Sequence, residues 1–193
     1  MKTDIILAGV GGQGILSIAA TLGIAALENN WYLKQAETHG MSQRGGAVVS
    51  HLRISDKPIA SDLVPLGKAN VIISVEPMES LRYLDYLSET GYVVTNVKPF
   101  VNISDYPEEA KIMEYINNLP NVVAIDADKI ANDLNARRSS NIVMLGAAAP
   151  FLNVELSVLE SGLRQIFGSK GDDVVEMNLK ALHAGYNFAM ENK

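Results

Sequence analysis

Residues 4–14 read Asp-Ile-Ile-Leu-Ala-Gly-Val-Gly-Gly-Gln-Gly, and this stretch decides the fold. The apolar run Ile5–Ala8 is followed at once by Gly9, Gly11 and Gly14 in G-x-G-x-x-G spacing. The segment after the last glycine has apolar residues at helical spacing. Strand, glycine turn and helix form the context in which this motif places helix N-terminal amides against an anion, usually a phosphate. The sequence therefore predicts a buried strand, an anion-binding turn and a helix.

Strand and helix patterns alternate through the first two thirds of the chain, and helical patterns dominate the rest. Further strands are predicted at Trp31–Glu37, Ala47–Ile54, Asn70–Val75, Tyr92–Asn96 and Val122–Asp126. The first of these would complete a βαβ unit with Ile5–Ala8, and the alternation in Ala47–Ile54 predicts a strand with one exposed face. Helices are predicted at Gly12–Glu28, Met78–Leu87, Glu108–Asn118, Ala127–Leu134, Asn141–Phe151, Ser157–Phe167 and Val174–Met190. Gly91 is expected to end the second of these helices. This order predicts a three-layer α/β/α Rossmann-like sheet, mostly parallel, with a helical C-terminal third. We expect a single domain over residues 1–193.

Composition excludes several classes of protein. The net charge is −6 and there is no long Lys/Arg run, which argues against a dedicated nucleic-acid binder. Cysteine is absent, so this chain has no thiolate nucleophile and no cysteine-ligated cluster. The N-terminal apolar run is interrupted by Asp4 and Gly9, unlike a signal peptide, and no stretch approaches the ~20 apolar residues of a membrane span. We predict a cytoplasmic protein that does not bind a membrane.

A second glycine-rich loop carries most of the remaining chemistry. Residues 37–46 read Glu-Thr-His-Gly-Met-Ser-Gln-Arg-Gly-Gly. Serine and glutamine can hydrogen-bond a ligand, arginine can hold a phosphate or carboxylate, and glycines let the backbone come close. In a doubly wound sheet both glycine loops emerge at the same carboxyl edge. The predicted binding residues are Gly9, Gly11, Gly12, Gln13, Gly14, Ser42, Gln43, Arg44 and Gly45. The alternative is a tight loop in which Arg44 pairs with Glu37.

Glu37 and His39 raise two further possibilities. Glu37 follows Gly14 by 23 residues, where the ribose-binding acid of a dinucleotide site is expected. Against this interpretation, Gly12 is an extra glycine, and no hydride-transfer site follows. His39 is a weak candidate for acid–base catalysis, because an imidazole next to Glu37 could work as an acid or a base. More often such a histidine is a hydrogen-bonding loop residue. No residue pattern suggests a metal.

Two later segments are ambiguous. Arg137 and Arg138 precede an apolar helix, and they belong either to a ligand site or interface or to a solvated turn. Ser140 or Asn141 would be the N-cap of that helix. The small-residue stretch Met144–Ala149 favours close helix packing, inside the subunit or across an interface.

The two glycine loops together resemble one family. Gly9–Gly14 and Glu37–Gly46 are similar to the gamma subunit or domain of the 2-oxoacid:ferredoxin oxidoreductases. Within this family, the similarity is strongest to the small (beta) subunit of indolepyruvate ferredoxin oxidoreductase. Asn141–Ala147 also fits the pattern of this family, and the similarity spans essentially the whole chain. The resemblance identifies the chain as a pyruvate/ketoisovalerate oxidoreductase gamma-type domain.

The resemblance implies a role in a larger enzyme of anaerobic metabolism. Such complexes oxidatively decarboxylate a 2-oxoacid, here indolepyruvate or another arylpyruvate, form an acyl-CoA and reduce ferredoxin. Thiamine diphosphate, magnesium and iron–sulfur clusters would belong to the large partner subunit, and this chain would be inactive alone. Coenzyme A would lie against the two glycine loops, with His39 and Met41 at the border. Alanine at Arg44 should then raise the Michaelis constant for coenzyme A.

Two alternatives to this function are open at the level of sequence. The first is a free-standing Rossmann-like enzyme that binds NAD(P), which would bind the nucleotide as an isolated chain. The second is a scaffold whose glycine loops contact the large subunit and bind no small molecule. In that case substituting Arg44 would disrupt assembly and leave the coenzyme A requirement unchanged.

Overall fold

A computed structural model describes residues 1–40, 45–101 and 103–193. In these residues six strands form one sheet in the order β2-β3-β1-β4-β5-β6. The strands are β1 (Lys2–Val10), β2 (Tyr32–His39), β3 (Ala47–Ser55), β4 (Ala69–Ser74), β5 (Leu87–Asn96) and β6 (Val122–Ile125). The helices are α1 (Ile15–Glu28), α2 (Pro77–Arg82), α3 (Glu109–Asn117), α4 (Ala127–Asp133), α5 (Ser140–Ala148), α6 (Leu156–Phe167) and α7 (Asp172–Asn192).

The sheet is mixed and mostly parallel, with helices on both faces. β3 is antiparallel to β1 and β2, whereas β1, β4, β5 and β6 pair in parallel. One face carries the larger hydrophobic core and is covered by α1 and the helices from α4 to α7. The opposite face is covered by α2 and α3. The predicted fold class, including the helical C-terminal third, is confirmed. None of the helices in the described ranges has the length and apolar character needed to cross a bilayer.

The order of the strands corrects the prediction of a simple βαβ unit. β3 pairs with β1 along its full length and separates β1 from β2. β3 was expected to have one exposed face, but the structure buries its residues on both faces, including His51 and Arg53. The edge position goes to β2, whose residues are mostly exposed or half-buried. A strand buried on both faces belongs inside a sheet, and this explains why β3 lies there.

Arg53, a buried side chain of β3, forms an ion pair and further hydrogen bonds. Arg53 Nε donates to Asp4 Oδ1 at 2.7 Å, and its Nη2 donates to Oδ2 of the same carboxylate at 3.3 Å. Its Nη1 donates to the carbonyl oxygens of Ser61 and Leu63, both at 3.0 Å. Asp4 lies on the neighbouring strand β1. The arginine therefore joins two central strands and fastens the segment that covers this face of the sheet.

The prediction for residues 78–96 is wrong in its boundaries. α2 ends at Arg82, a short 3₁₀ turn follows, and β5 already begins at Leu87. Gly91 was expected to end a helix, but it lies inside β5, where a Cβ atom would come within 2.8 Å of the Ala69 carbonyl oxygen. The pairing of β4 with β5 shifts register beside Ala69, and the close backbone approach there requires glycine.

Close packing of α5 against α7 accounts for the small-residue stretch. All of α5 after its first residue is buried. A Cβ atom on Gly146 would lie 2.0 Å from the Leu182 carbonyl oxygen, and one on Gly185 would lie 1.9 Å from the Val143 carbonyl oxygen. The two helix backbones are therefore in direct contact through these two glycines. This places the close packing inside the subunit.

Candidate functional site

The first glycine loop joins β1 to α1 at the carboxyl edge of the sheet. Gly12 and Gly14 have φ angles of 101° and 82°, in the left-handed region that favours glycine. Gly14 is the N-cap of α1, and within the described residues no side chain caps the first amides of this helix. Uncapped N-terminal amides attract anions. The loop thus has the backbone geometry that its sequence predicts.

Two amide side chains hold this loop in place. Gln13 Oε1 accepts a hydrogen bond from the Val10 amide at 2.8 Å, and its Nε2 donates to the Val75 carbonyl at 3.4 Å. Asn141 Nδ2 donates to the Gly14 carbonyl at 3.0 Å. The prediction of Ser140 or Asn141 as the N-cap of α5 is wrong, because the N-cap is Ser139. This role of Asn141 cannot be read from the sequence, because no local pattern pairs residues that are 127 positions apart.

The second glycine loop lies directly against the first. The Gly11 amide donates to the Gly46 carbonyl at 2.9 Å, and the Gly45 amide donates to the Gly11 carbonyl at 3.3 Å. The two loops therefore meet at one edge, in agreement with the doubly wound arrangement. Met41, Ser42, Gln43 and Arg44 lie outside the described residues, so their contribution to binding stays a prediction, as does the alternative Arg44–Glu37 pair.

Glu37 and His39 pair with each other on the edge strand β2. His39 Nε2 lies 2.5 Å from Glu37 Oε1, and Gln35 Nε2 donates to Glu37 Oε2 at 3.2 Å. His39 also lines a cavity of about 290 Å³ together with residues of the first glycine loop. A dinucleotide site needs its ribose-binding acid on the strand next to β1. Here β3 intervenes and moves Glu37 away by roughly 5 Å, the spacing of one strand. This geometry does not favour NAD(P).

A basic cleft opens on the other side of the first glycine loop. It has a volume of about 600 Å³. Its walls include Gly12, Gln13, Gly14 and Ser17 on one side and Arg137, Arg138, Lys170, Phe167 and Met177 on the other. Both arginines are exposed on a short 3₁₀ turn before α5, and within the described residues neither forms an ion pair. Both arginines line the same cleft as the glycine loop, and their role as ligand contacts stays a prediction.

A smaller polar cavity adjoins the basic cleft at the carboxyl edge. It has a volume of about 220 Å³ and shares Gln13 and Asn141 with the basic cleft. Asn96, at the end of β5, donates to Asp128 Oδ2 at 2.8 Å and accepts from the Ala127 amide at 3.2 Å. The cavity lies where α1 leaves for one face of the sheet and α2 for the other. Such a switch point is the usual ligand position in α/β sheets.

Glu76 binds the backbone of Phe100, one of the residues that line this polar cavity. Its carboxylate is completely buried and accepts hydrogen bonds from the Glu79 amide at 2.8 Å and the Phe100 amide at 3.3 Å. The Tyr106 hydroxyl donates to the same carboxylate. Burial and this hydrogen bond to Glu76 raise the pKa of Tyr106 well above its usual range. The tyrosine therefore stays protonated as a donor, and the segment between β5 and α3 is tied to Glu76 at two points.

The described residues contain no group of three or more His, Asp or Glu side chains that could hold a metal ion. The basic cleft is lined by amides, hydroxyls, two arginines and a lysine, whereas the polar cavity also contains the Asp128 carboxylate. Such groups suit an organic ligand with phosphates.

Comparison with known proteins gives a family match over nearly the whole chain. Residues 4–188 match the family described as pyruvate ferredoxin/flavodoxin oxidoreductase. The indolepyruvate oxidoreductase subunit IorB of Archaeoglobus fulgidus is 33% identical, over 100% of this chain and 98% of the relative. The IorB subunit of Pyrococcus horikoshii is 37% identical, over 97% of this chain and 96% of the relative.

Solved structures share the fold. Pyruvate oxidoreductase subunit PORC from Thermotoga maritima superposes with a TM-score of 0.74 at 24% identity and covers 96% of both chains. The 2-oxoglutarate:ferredoxin oxidoreductase from Magnetococcus marinus, solved with 2-oxoglutarate, coenzyme A and succinyl-CoA bound, gives a TM-score of 0.76 at 22% identity. The match covers 98% of this chain but 31% of that one.

Proposed function

Because this chain belongs to the pyruvate ferredoxin/flavodoxin oxidoreductase family and is an IorB-like small subunit of a 2-oxoacid:ferredoxin oxidoreductase, we propose that it supplies coenzyme A binding to the complex. The 2-oxoacid is an arylpyruvate such as indolepyruvate, in accordance with the names of these relatives. A large partner subunit carries thiamine diphosphate, magnesium and the iron–sulfur clusters, and the complex passes electrons to ferredoxin.

The observation that carries this proposal is the basic cleft beside the glycine loop. Arg137, Arg138 and Lys170 concentrate positive charge in a chain whose net charge is −6. They stand opposite the uncapped start of α1, so two independent sources of positive potential face the same space. Coenzyme A carries phosphates at its nucleotide end. Arginine is the side chain best suited to hold phosphate oxygens in pairs.

The shape of the cleft supports the same ligand. A volume of about 600 Å³ lies within the range of small-molecule sites. Phe167 and Met177 provide apolar surface for the adenine ring, while Gly12 and Gly14 let the backbone approach the phosphates. The predicted residues Gly9, Gly11, Gln13 and Gly45 then act by shaping and positioning the loops. Arg44, Ser42 and Gln43 stay proposed ligand contacts of the second loop.

Replacing Arg138 with alanine should raise the Michaelis constant for coenzyme A in the assembled enzyme by about tenfold, the effect of losing one charge-assisted hydrogen bond. The turnover number and the content of large subunit should stay close to wild type. The measurement is steady-state reduction of ferredoxin, or of a dye substitute, over a range of coenzyme A concentrations.

Arg164→Ala is the matched control, since Arg164 is also exposed but does not line the cleft. An unchanged Michaelis constant for coenzyme A in both Arg138→Ala and the Arg137→Ala/Arg138→Ala double variant would refute coenzyme A binding in this cleft. Loss of the large subunit from Arg138→Ala, with a normal constant in the remaining complex, would instead identify the chain as a scaffold. The same assay on Arg44→Ala tests the second glycine loop.

A further inference from the structure

We infer that the side chains of Phe100, Val101 and Ile103, here called the apolar edge, form a contact surface for the large catalytic subunit. This inference rests on the proposed function and names the part of the chain through which assembly occurs. It is carried by three observations: the exposure of these side chains, the way their segment is held, and their position beside the two cavities.

The apolar edge exposes large hydrophobic side chains in a short stretch. Phe100, Val101 and Ile103 are 43%, 68% and 43% exposed. Single exposed apolar residues are ordinary on protein surfaces, but three within four positions concentrate apolar surface in one short stretch. Exposed aromatic and aliphatic side chains of this kind are typical of the cores of protein–protein interfaces. The apolar edge is therefore suited to a protein partner.

The segment that carries the apolar edge is held at both ends by one buried group. Glu76 accepts from the Phe100 amide on one side and from the Tyr106 hydroxyl on the other. An ordered segment loses less conformational entropy on binding than a free one. The buried carboxylate thus fixes the backbone at Phe100 and the side chain of Tyr106 before the partner arrives.

The position of the apolar edge connects it to the ligand cavities. Phe100 lines the polar cavity, which adjoins the basic cleft because both are bordered by Gln13, Ser140 and Asn141. With the nucleotide end of coenzyme A in the basic cleft, the path along the carboxyl edge leads past Phe100. The thiol must face the subunit on which the acyl group forms. A surface at this end of the path is where that subunit has to bind.

Relatives with longer chains indicate the occupant. The matched region is 31% of the Magnetococcus marinus chain and 36% of the ketoisovalerate oxidoreductase subunit VorA of Methanothermobacter thermautotrophicus. In those proteins this fold is covalently attached to further polypeptide. The present chain instead matches IorB relatives over nearly their full length, so the corresponding contacts would be made by a separate subunit. Non-covalent contact of this kind requires exposed apolar surface on the small subunit.

The test is co-purification of tagged Val101→Asp with the co-expressed large subunit under anaerobic conditions. A charge placed at the centre of an apolar contact should reduce the recovered large subunit by about tenfold or more. Leu27→Asp is the matched control, because Leu27 is equally exposed but lies near the end of α1 at the opposite edge of the sheet. This control should recover the wild-type amount.

The outcomes separate the two proposals. If Val101→Asp keeps its thermal midpoint and still recovers the wild-type amount of large subunit, the apolar edge is not the interface. If the wild-type chain itself recovers no large subunit, the proposed function fails. Hydrogen exchange of the peptide 97–108, compared between the free wild-type chain and its complex, provides a second measurement independent of the variant. Protection in the complex is expected, and equal exchange would overturn the inference.

Discussion

Replacing Gly185 with alanine should lower the free energy of unfolding by about 3 kcal/mol, the upper end of the usual effect of overpacking. The new Cβ atom would lie 1.9 Å from the Val143 carbonyl oxygen and 2.8 Å from the Ala147 amide nitrogen. Both are backbone atoms of α5, so no side-chain rotation can remove the clash. α7 would have to move away from α5 along a face that is buried throughout. Urea unfolding of the isolated chain, followed by circular dichroism, measures the loss.

Gly168→Ala is the appropriate control for this variant. A Cβ atom at Gly168 meets nothing within 4 Å, and the residue has ordinary helical backbone angles. Its substitution should change stability by less than about 1 kcal/mol, and in the stabilising direction, since alanine reduces the entropy of the unfolded chain. Equal stability of the two variants would show that α5 and α7 do not pack at the distance described.

Replacing Arg53 with methionine should lower the free energy of unfolding by about 3 kcal/mol, as expected when one partner of a buried ion pair is removed. Asp4 would lose both hydrogen bonds from the guanidinium while staying buried between the central strands. The carbonyls of Ser61 and Leu63 would lose their donor, and the covering segment would be released from β3. The same unfolding measurement applies, with limited proteolysis of residues 56–68 as a second readout.

Lys2→Met provides the comparison for this second variant. Lys2 Nζ also lies 2.8 Å from Asp4 Oδ2, but its side chain is half exposed. Surface pairs contribute little, so the loss should be below about 1 kcal/mol. Adding Asp4→Asn to Arg53→Met should give a combined loss smaller than the sum of the two single losses. If Arg53→Met is no less stable than Lys2→Met, the buried pair does not hold the strands together.

Local sequence signals were sufficient for the first βα unit. The apolar run and the glycines predicted a strand, a turn and a helix ending at Glu28, and the structure has α1 end at that residue. The proximity of the two glycine loops also followed from a general rule of doubly wound sheets. These features depend on residues close in sequence or on common topology, and both kinds of information can be read from a single chain.

The arrangement of β3 depends on contacts that no local pattern contains. Alternation of Arg53 and His51 with apolar residues is typical of a half-exposed strand. Burial of Arg53 becomes favourable only through Asp4, 49 residues away. The same limitation applies to the site, where Arg138 comes to line the same cleft as the first glycine loop only in the folded chain. Distant pairings decided the strand order and the composition of the basic cleft.

The hydrogen bond from Asn141 to the Gly14 carbonyl has a consequence for the time at which the site forms. The two residues are 127 positions apart, so the N-terminal glycine loop leaves the ribosome long before its partner is synthesised. Until α5 has folded onto the sheet, this carbonyl has no donor from that helix and the wall of the basic cleft is absent. Ligand-binding competence is therefore acquired late in biosynthesis, and a nascent chain that ends before residue 141 would expose the motif without its function.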